Sequence, residues 1–346
     1  MSSIMNLVFT LCSNNYLAQA ICLGKSLLKH NPDYIFKIGL VDRMNEVINY
    51  DQIPFELVEV EKIGIASFNE MFRQYSITEL NTAVKPFYFK YFFNLSQDID
   101  RIIYLDPDIL VYSPFTELDK VLADYEIVIT PHFTTPIDDD KFQAENDFLN
   151  SGLYNLGFLA VKRSLDSAGF LNWWADRLSR KAYINFAKGM FTDQLWINFV
   201  PLFFENVKVL THPGYNAAYW NLHERLFTER NYKYFVNSSF PLIFFHFSGY
   251  DPLKPDILSK YQDRFTFEDR KDVLPLFTGY SELLFQNSFL YYKNFNCAFI
   301  EIKEKLYEQM IVAKIKKISI FKRLARKLIL KFIMRFGIVL DYNTLS

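Results

Sequence analysis

Short runs of apolar residues alternate with segments of helical periodicity along most of this chain. Residues 7–11 predict a buried strand, and the next segment places apolar residues at the spacing of one helix face, namely Leu17, Ala20, Ile21, Gly24, Leu27 and Leu28. Asn14 or Asn15 can cap that helix, because a short polar side chain accepts hydrogen bonds from the free N–H groups of a first turn. The pattern therefore starts with a β-α unit.

The same alternation continues toward residue 250. Further strands are predicted at residues 35–41, 55–60, 102–105, 126–130, 156–161, 207–210 and 242–247, and helices at 85–95, 166–180 and 192–199. Alternating strands and helices favour a mostly parallel sheet covered by helices on both faces, with ligands at the carboxyl ends of its strands. The predicted fold class is α/β.

Two carboxylates follow one of these strands directly. Asp106 and Asp108 flank Pro107, between the apolar runs 102–105 and 109–111. Pro107 lacks the N–H that a sheet ladder needs, so the strand should stop there and both carboxylates can turn toward one exposed point. Mg²⁺ and Mn²⁺ take oxygen ligands and leave room for phosphates, which makes this pair a candidate cation site. The alternative is an ordinary Asp-Pro turn after a strand.

Composition narrows the class of protein. Half of the 346 residues are apolar and 18% are aromatic, which is enough to bury a large core. We find no apolar run of about 18 residues that would predict a membrane span. The first five residues lack the features of a signal peptide. Cys12, Cys22 and Cys297 have no CxxC spacing, so we expect reduced core thiols of a cytoplasmic protein.

Positive charge is concentrated toward the end of the sequence. Residues 309–346 contain nine Lys or Arg and one acid, Asp341, which gives +8 and leaves −9 for residues 1–308. The absence of a dispersed basic stripe before residue 309 argues against DNA or RNA as a substrate. On a helix through residues 311–336 the apolar and basic side chains fall on opposite faces, a pattern typical of helices that lie on anionic membranes. The alternative is a helix docked on the rest of the chain with its basic residues in water.

Several segments in a fixed order carry a resemblance to a known family. They are TLCSNNYLAQA from residue 10, LDPDILV from 105, YNLGFLAV from 154, TDQLWINFVP from 192 with PGYNAAYWNL from 213, and HFSG from 246. Over roughly residues 5–265 the chain resembles the retaining, metal-dependent family 8 glycosyltransferases and, more closely, an uncharacterised bacterial group related to them. The resemblance implies the GT-A nucleotide-diphosphosugar fold, a UDP-sugar donor, and Mn²⁺ or Mg²⁺ as cofactor. We predict a catalytic domain at 1–265, a helical extension at 266–309 and a basic amphipathic tail at 310–346.

The donor nucleotide is expected at the carboxyl end of the first strand. Thr10, Asn14 and Tyr16 lie there, where an open α/β sheet receives a nucleotide. Tyr16 can stack on a base, which the family implies is uracil, and Thr10 and Asn14 can hydrogen-bond to it. The alternative is that Asn14 caps the helix and Tyr16 packs in the core.

A third metal ligand is predicted at His246. An imidazole between Phe245 and Phe247 has apolar walls, and in the resembled family the corresponding histidine completes the metal site. A lone histidine in an apolar run can also be a core residue. Gly249 follows at the family spacing and would let backbone N–H groups approach a phosphate. Lys254, two residues later than the usual family lysine, is assigned to the same diphosphate.

Recognition of the donor sugar is assigned to Asn155, Gly157, Asp193 and Gln194, with Lys85 near the donor phosphate or sugar. The alternatives are that Asp193 caps the following helix, as Thr192 could, and that Lys85 is a solvated surface lysine. The resemblance places the Asp193-Gln194 pair at the reacting face. No clear nucleophile is evident, so we predict retention through a front-face, ion-pair-like displacement in which the leaving diphosphate helps to deprotonate the acceptor.

The donor sugar and the acceptor are less defined. Many members of the family carry an Asp that meets the donor sugar just after the strand at 126–130, whereas this chain has Pro131 and His132 there. We therefore assign no particular hexose. Acceptor binding is assigned to Asn216, Tyr219 and Trp220, a polar and aromatic cluster that can stack on a sugar face.

These observations predict a cytoplasmic enzyme, peripheral on the inner face of the cell membrane, that transfers a hexose from a UDP-sugar to a surface polysaccharide or lipid-linked glycan. A sugar-1-phosphate nucleotidyltransferase is the alternative enzyme, but it would need a Gly-rich basic loop after the first strand, which TLCSNNYLAQA lacks. The non-enzymatic alternative is a glycan-binding or scaffolding protein.

Deleting residues 310–346 tests the predicted membrane contact of the tail. Binding to vesicles that contain an anionic lipid should weaken, because the deletion removes the basic face. Co-sedimentation with anionic and neutral vesicles measures this, and unchanged binding to the anionic vesicles would refute the prediction.

Overall fold

A computed structural model describes residues 5–316, 331–333 and 335 of the chain. Its strands are β1 (Met5–Cys12), β2 (Tyr34–Leu40), β3 (Glu56–Glu59), β4 (Ile99–Leu105), β5 (Ile109–Val111), β6 (Ile127–Pro131), β7 (Tyr154–Lys162), β8 (Val207–Val209), β9 (Phe227–Arg230), β10 (Lys233–Val236), β11 (Phe240–Pro241) and β12 (Phe244–His246). Its helices are α1 (Leu17–His30), α2 (Phe68–Gln74), α3 (Ile77–Ala83), α4 (Lys85–Leu95), α5 (Thr116–Asp124), α6 (Glu145–Ser151), α7 (Leu165–Leu178), α8 (Val200–Phe203), α9 (Leu274–Gln286), α10 (Phe289–Tyr292) and α11 (Ala298–Lys316). The strands and helices predicted before residue 250 correspond to observed elements, with boundary differences of a few residues.

A seven-stranded sheet forms the centre, in the order β3-β2-β1-β4-β7-β6-β8. Strands β3, β2, β1 and β4 are parallel, β7 runs antiparallel to both β4 and β6, and β6 is parallel to β8. The predicted mostly parallel sheet is confirmed, with β7 as its reversed strand. A two-stranded antiparallel sheet of β5 and β12 lies beside the carboxyl end of β4, and β9, β10 and β11 form a separate small sheet.

Both faces of the central sheet are buried. Along β1, Val8 belongs to an apolar cluster that includes α1, whereas Leu7 and Phe9 belong to a second cluster that includes α4. This alternation follows from the two-residue period of a strand. The Phe9 ring lies 4.9 Å from Phe89 and 5.2 Å from Tyr104, so the abundant aromatic residues fill the space between the sheet and α4.

Two local predictions differ from the structure. The helix after β1 starts with a 3-10 turn at Asn14–Tyr16, and neither N-cap position has a side-chain hydrogen bond. The capping prediction for Asn14 or Asn15 is therefore wrong, since the Asn14 amide donates to Asp42 Oδ2 at 2.9 Å instead. The helix predicted at 192–199 is a 3-10 helix, Gln194–Phe199, which leads into α8.

The C-terminal helices pack on the central domain. Lys25 of α1 donates to Asn287 at the end of α9, and the Ala298 N–H that starts α11 donates to Asp42 Oδ1 at 2.8 Å. The domain boundaries at residues 265 and 309 stay a prediction. Most of the predicted amphipathic tail, at residues 317–330, 334 and 336–346, lies outside the described residues. Among the helices that the structure describes, none has the length and apolar character needed to cross a membrane.

Candidate active site

The turn after β4 aims two carboxylates at one point. Asp106 N–H donates to the Gly157 carbonyl at 2.8 Å, which extends the pairing with β7 by one residue. The next turn closes across Pro107, with Ile109 N–H donating to the Asp106 carbonyl at 3.2 Å. The Asp106 and Asp108 side chains keep 27% and 24% of their surface exposed, so both are open to a ligand. The strand stop predicted at Pro107 is confirmed.

The pairing of β5 with β12 brings His246 to the same point. Its register places His246 opposite Ile109, next to Asp108, and the Phe247 N–H donates to the Asp108 carbonyl at 2.8 Å. His246 Nε2 lies 3.0 Å from Asp108 Oδ1 and 3.7 Å from Asp106 Oδ2. Residues distant in sequence thus converge because one antiparallel pairing links them.

These three side chains form a donor set for a hard divalent cation. One ligand atom from each of Asp106, Asp108 and His246 lies within 4.8 Å of the other two. Two carboxylate oxygens with an imidazole nitrogen suit Mn²⁺ or Mg²⁺, and the partial exposure of both carboxylates leaves space for further oxygen ligands. The residues therefore fit the metal that the family resemblance implies. The identity of the ion stays a prediction.

Neighbouring charges shift the pKa values of two members of this cluster. Burial acts to lower the pKa of His246, but the neighbouring Asp108 and Asp106 carboxylates outweigh it and hold that pKa above its ordinary value. Burial acts to raise the pKa of Asp108, and the adjacent His246 outweighs it and lowers that pKa. The two carboxylates thus favour positive charge at this point, as a cation site requires.

Gly157 is the residue that leaves room for His246. A Cβ atom at Gly157 would lie 2.4 Å from Cε1 and 2.6 Å from Nδ1 of the His246 ring. The Trp220 ring also packs edge-on against that imidazole, with centroids 5.1 Å apart. We predicted that Gly157 leaves space beside the donor sugar, but the space it leaves here is occupied by His246.

A buried ion pair lies next to the carboxylates. Lys85 Nζ lies 2.9 Å from Asp193 Oδ2 and 3.7 Å from Asp106 Oδ1, and it also donates to the Leu156 carbonyl. Lys85 and Asp193 are each 2% exposed, so the alternative of a solvated Lys85 is wrong. Burial raises the pKa of Asp193, opposed by the Lys85 cation. The Asp193 side chain makes no capping hydrogen bond to the following 3-10 helix.

A network of amide side chains extends from this pair. Gln194 donates to the Ser151 carbonyl at 2.9 Å, and its Oε1 accepts from Leu156 N–H at 3.3 Å and from Asn155 Nδ2 at 3.5 Å. Asn155 Oδ1 accepts from Gly157 N–H and from Asn216 Nδ2, both at 3.0 Å. The residues assigned to donor-sugar recognition are therefore adjacent, and their amide groups are fixed by one another.

His132 supports the same network. Burial lowers the pKa of His132 to about 3, so the ring is neutral, and its Nε2 lies 3.3 Å from Asn155 Nδ2. His132 Nδ1 lies 3.2 Å from the Leu153 carbonyl, which fixes the donor on Nδ1 and leaves Nε2 as the acceptor. The sequence showed His132 only as a departure from the family pattern.

The residues predicted to bind the acceptor are largely buried in this structure. Asn216 is completely buried, and its amide donates to Thr130 Oγ1 at 2.9 Å as well as to Asn155. Trp220 is 3% exposed and contacts His132 and His246, while Tyr219 donates to Gln143 Oε1 at 3.1 Å. In this structure Asn216 and Trp220 support the site, and the predicted contact of the three residues with an acceptor stays a prediction.

The predicted nucleotide residues occupy the carboxyl end of β1. Tyr16 is 43% exposed, and partial burial together with the Asp108 carboxylate raises the pKa of its hydroxyl to about 12. Asn14 is buried, with both amide hydrogens donated to Asp42 and the Arg43 carbonyl, and its Oδ1 accepts from Tyr50. Thr10 is completely buried. Contact of Tyr16, Asn14 or Thr10 with a base stays a prediction.

Gly249 has a left-handed backbone conformation. Its φ of +75° lies in the left-handed region, where glycine is free of Cβ strain, and a Cβ there would meet Ser259 Oγ at 2.5 Å. Lys254 is exposed, and its N–H donates to the Asp251 carbonyl. The diphosphate contacts assigned to both residues stay predictions.

Besides His132, sequence reasoning missed two supporting residues. Tyr104 donates to Asp106 Oδ1 at 2.5 Å, and its ring lies 4.4 Å from Lys85 Nζ. Asp42 accepts from Asn14 and from the first N–H of α11. Tyr104 lies two residues before Asp106, so its side chain leaves the strand on the same face, which was an available signal. The position of Asp42 just after β2 was a weaker signal of its supporting role.

Comparison with known proteins agrees with this geometry. The family described as Glycosyl transferase family 8 matches residues 7–255, so the chain belongs to that family of glycosyltransferases. Membership assigns the GT-A fold class that the sequence resemblance implied. Among curated proteins, the uncharacterized protein YfnF of Bacillus subtilis (strain 168) is 27% identical over 253 residues, covering 70% of this chain and 80% of that protein.

Solved structures of glycosyltransferases are also similar. The galactosyltransferase LgtC in complex with donor and acceptor sugar analogs is 17% identical, with a TM-score of 0.43, over 80% of this chain and 95% of that one. The glycosyltransferase GlyE of Streptococcus pneumoniae TIGR4 is 16% identical, with a TM-score of 0.46, over 83% of this chain and 64% of that one.

Substituting Gly157 by alanine should disturb the metal site. The added Cβ would displace the His246 ring, so the affinity for Mn²⁺ should fall at least about tenfold, the range seen when supporting residues of metal sites are lost. Isothermal titration with Mn²⁺ and UDP measures this. Gly169→Ala is the matched control, because nothing lies within 4 Å of the added Cβ. Equal Mn²⁺ affinities for the two folded variants would contradict the proposed packing.

Replacing Lys85 by methionine should strongly destabilise the fold. The Asp193 carboxylate would stay buried without its cation, which costs about 3–5 kcal/mol of unfolding free energy. Urea denaturation measures this, and Lys85→Met combined with Asp193→Asn should recover part of the loss. Lys37→Met is the control, because its partner Glu56 is exposed. A loss no larger than that of the control would show that Lys85 and Asp193 are not coupled.

Proposed function

We propose that this glycosyltransferase moves a hexose from a UDP-sugar to a surface-polysaccharide or lipid-linked glycan acceptor, with retention of the anomeric configuration. The observation that supports it most is the convergence of Asp106, Asp108 and His246 at the carboxyl end of β4 in a family 8 chain. That edge of an α/β sheet is where nucleotides bind. The membrane-bound setting and the catalytic domain at 1–265 belong to the same proposal.

Asp106, Asp108 and His246 would hold the metal ion. When bound, Mn²⁺ or Mg²⁺ would neutralise charge on the diphosphate of the donor. His246 packs against both Gly157 and Trp220, so its ring needs little reorganisation to act as a ligand. Tyr104 holds Asp106 Oδ1 through its hydroxyl, which leaves Oδ2 directed toward His246.

Lys85, Asp193 and Gln194 would act on the sugar side. The Lys85 cation lies between Asp106 and Asp193, where it would stabilise negative charge on the departing diphosphate in a region largely shielded from water. The Gln194 amide and the Asp193 carboxylate would orient the sugar hydroxyls and meet the positive charge that develops at the anomeric carbon. Asp193 is already paired with Lys85, which favours an electrostatic role over that of a nucleophile.

Metal-dependent binding of UDP tests this proposal. Calorimetry should show UDP binding with Mn²⁺ that is lost with a chelator, and Asp108→Asn should weaken it at least about tenfold because a charged ligand is removed. Asp139→Asn is the matched control, since Asp139 pairs with Arg264 at the surface. A screen of UDP-hexoses for Mn²⁺-dependent hydrolysis then identifies the donor.

Three results would contradict the proposal. UDP binding that ignores metal would remove the role of the carboxylates. A preference for UTP with a sugar 1-phosphate would identify a nucleotidyltransferase. Absence of UDP binding would favour a glycan-binding or scaffolding protein.

A further inference from the structure

An exposed apolar surface lies directly after the Asp193-Gln194 pair. We call it the aromatic platform and define it as Trp173, Trp196, Phe199, Leu202 and Phe203. Phe199, Leu202 and Phe203 are 44%, 78% and 56% exposed, which is unusual for three large apolar side chains within five residues. They lie on the 3-10 helix Gln194–Phe199 and on α8. The same 3-10 helix starts at the candidate catalytic Gln194.

The side chains of the platform hold one another in place. Phe199 stacks on Phe203 with ring centroids 5.2 Å apart, and Phe203 meets Trp173 edge-on at 5.8 Å. Trp173 contacts Trp196 at 6.3 Å, and the Trp196 Nε1–H donates to the Lys181 carbonyl at 3.0 Å. The exposed rings therefore form a fixed surface on the body of the domain.

Positive charge borders the platform. Arg177 and Lys181 lie over the Trp196 ring, at 5.9 and 5.8 Å from its centroid. Between residues 177 and 204 the basic side chains are Arg177, Arg180, Lys181 and Lys188, and the one carboxylate, Asp193, is buried against Lys85. Asp176, just outside this segment, pairs with Arg177 and Arg180. Glu205, on the other side of the segment, is exposed as well. Residues 176–205 therefore contain four basic and three acidic side chains, a balance of +1, whereas residues 1–308 together carry −9.

We propose that the aromatic platform docks on the surface of an anionic lipid bilayer. Exposed aromatic and leucine side chains can enter the headgroup region, while the basic residues beside them meet lipid phosphates. A glycan partner fits less well, because Leu202, the most exposed member, has no flat face to stack on a sugar. This surface differs from the C-terminal tail and involves described residues only.

The docking would bring the reacting face close to the lipid surface. Gln194 and Phe199 are the two ends of one 3-10 helix. Contact of Phe199 with the headgroups would therefore hold Gln194 one short helix away from the lipid surface. This consequence rests on the proposed function and deepens it, because a lipid-linked acceptor would then be met at the membrane. The docking itself does not depend on the enzymatic activity.

Binding of the full chain to vesicles tests the docking. Phosphatidylcholine vesicles with and without phosphatidylglycerol are titrated with the wild type, with Leu202→Ser/Phe203→Ser and with the control Leu226→Ser/Tyr232→Ser. The control removes Leu226, which is 63% exposed just before β9, and Tyr232, which is 96% exposed in the turn between β9 and β10. The platform variant should lose at least about tenfold in affinity for the anionic vesicles, equivalent to 1.4 kcal/mol, and the control should match the wild type.

The remaining outcomes are equally decisive. Equal affinities for the wild type and both variants, or equal losses in both variants, would overturn the proposal. Light scattering supplies a further check. If the wild type is a dimer and Leu202→Ser/Phe203→Ser converts it to a monomer, the platform is a contact between two copies of the chain. That result would also overturn the proposed membrane docking. Metal-dependent UDP binding is measured on the same samples. Its absence from the wild type would contradict the proposed function while leaving the vesicle result intact.

Discussion

The approach of one buried imidazole to two carboxylates is the interaction on which the rest of the site depends. His246 faces Asp108 at 3.0 Å and Asp106 at 3.7 Å, and Asp106 in turn faces the buried Lys85. Lys85 is paired with Asp193. Lys85 therefore links the partly exposed Asp106 carboxylate to the buried Asp193 carboxylate, and the buried charges of Lys85 and Asp193 would each be costly without the other.

The strands and side chains around this cluster hold its charged groups in position. The short pairing of β5 with β12 adds nothing to the central sheet, but it is what brings His246 beside Asp108. Gly157 in β7 and the Trp220 ring both pack against the imidazole. The buried amides of Asn155, Gln194 and Asn216 continue this rigid surface toward the region assigned to the donor sugar. A site built on strands and on a buried network is prearranged for its ligand.

Local patterns predicted the seven strands of the central sheet and β12, most of which are short and largely apolar, but not the small sheet of β9, β10 and β11, whose side chains are mostly exposed. They also predicted the turn at Asp106-Pro107-Asp108, since proline ends a ladder wherever it occurs. The direction of β7 was not predictable, because side-chain alternation is the same in parallel and antiparallel strands. His246 entered the site only through the family resemblance, since nothing within its apolar run indicates which strand it pairs with.

The errors have a common physical origin. Asn14 was predicted to cap a helix because capping is a local interaction, but Asp42, 28 residues later, binds its amide instead. Lys85 was open to interpretation as a solvated lysine because helical periodicity does not show which polar position faces a buried carboxylate. His132 likewise acquires its role only from Asn155, 23 residues away. Each case depends on a long-range contact that no local pattern records.

The coordination of Mn²⁺ by His246 is the most direct test of the account. Pulsed electron paramagnetic resonance of the protein with Mn²⁺ and UDP should show coupling to a nitrogen of one bound imidazole, and His246→Gln should remove that signal. Mn²⁺ bound in the presence of UDP without any nitrogen coupling in the wild type would contradict a site formed by Asp106, Asp108 and His246.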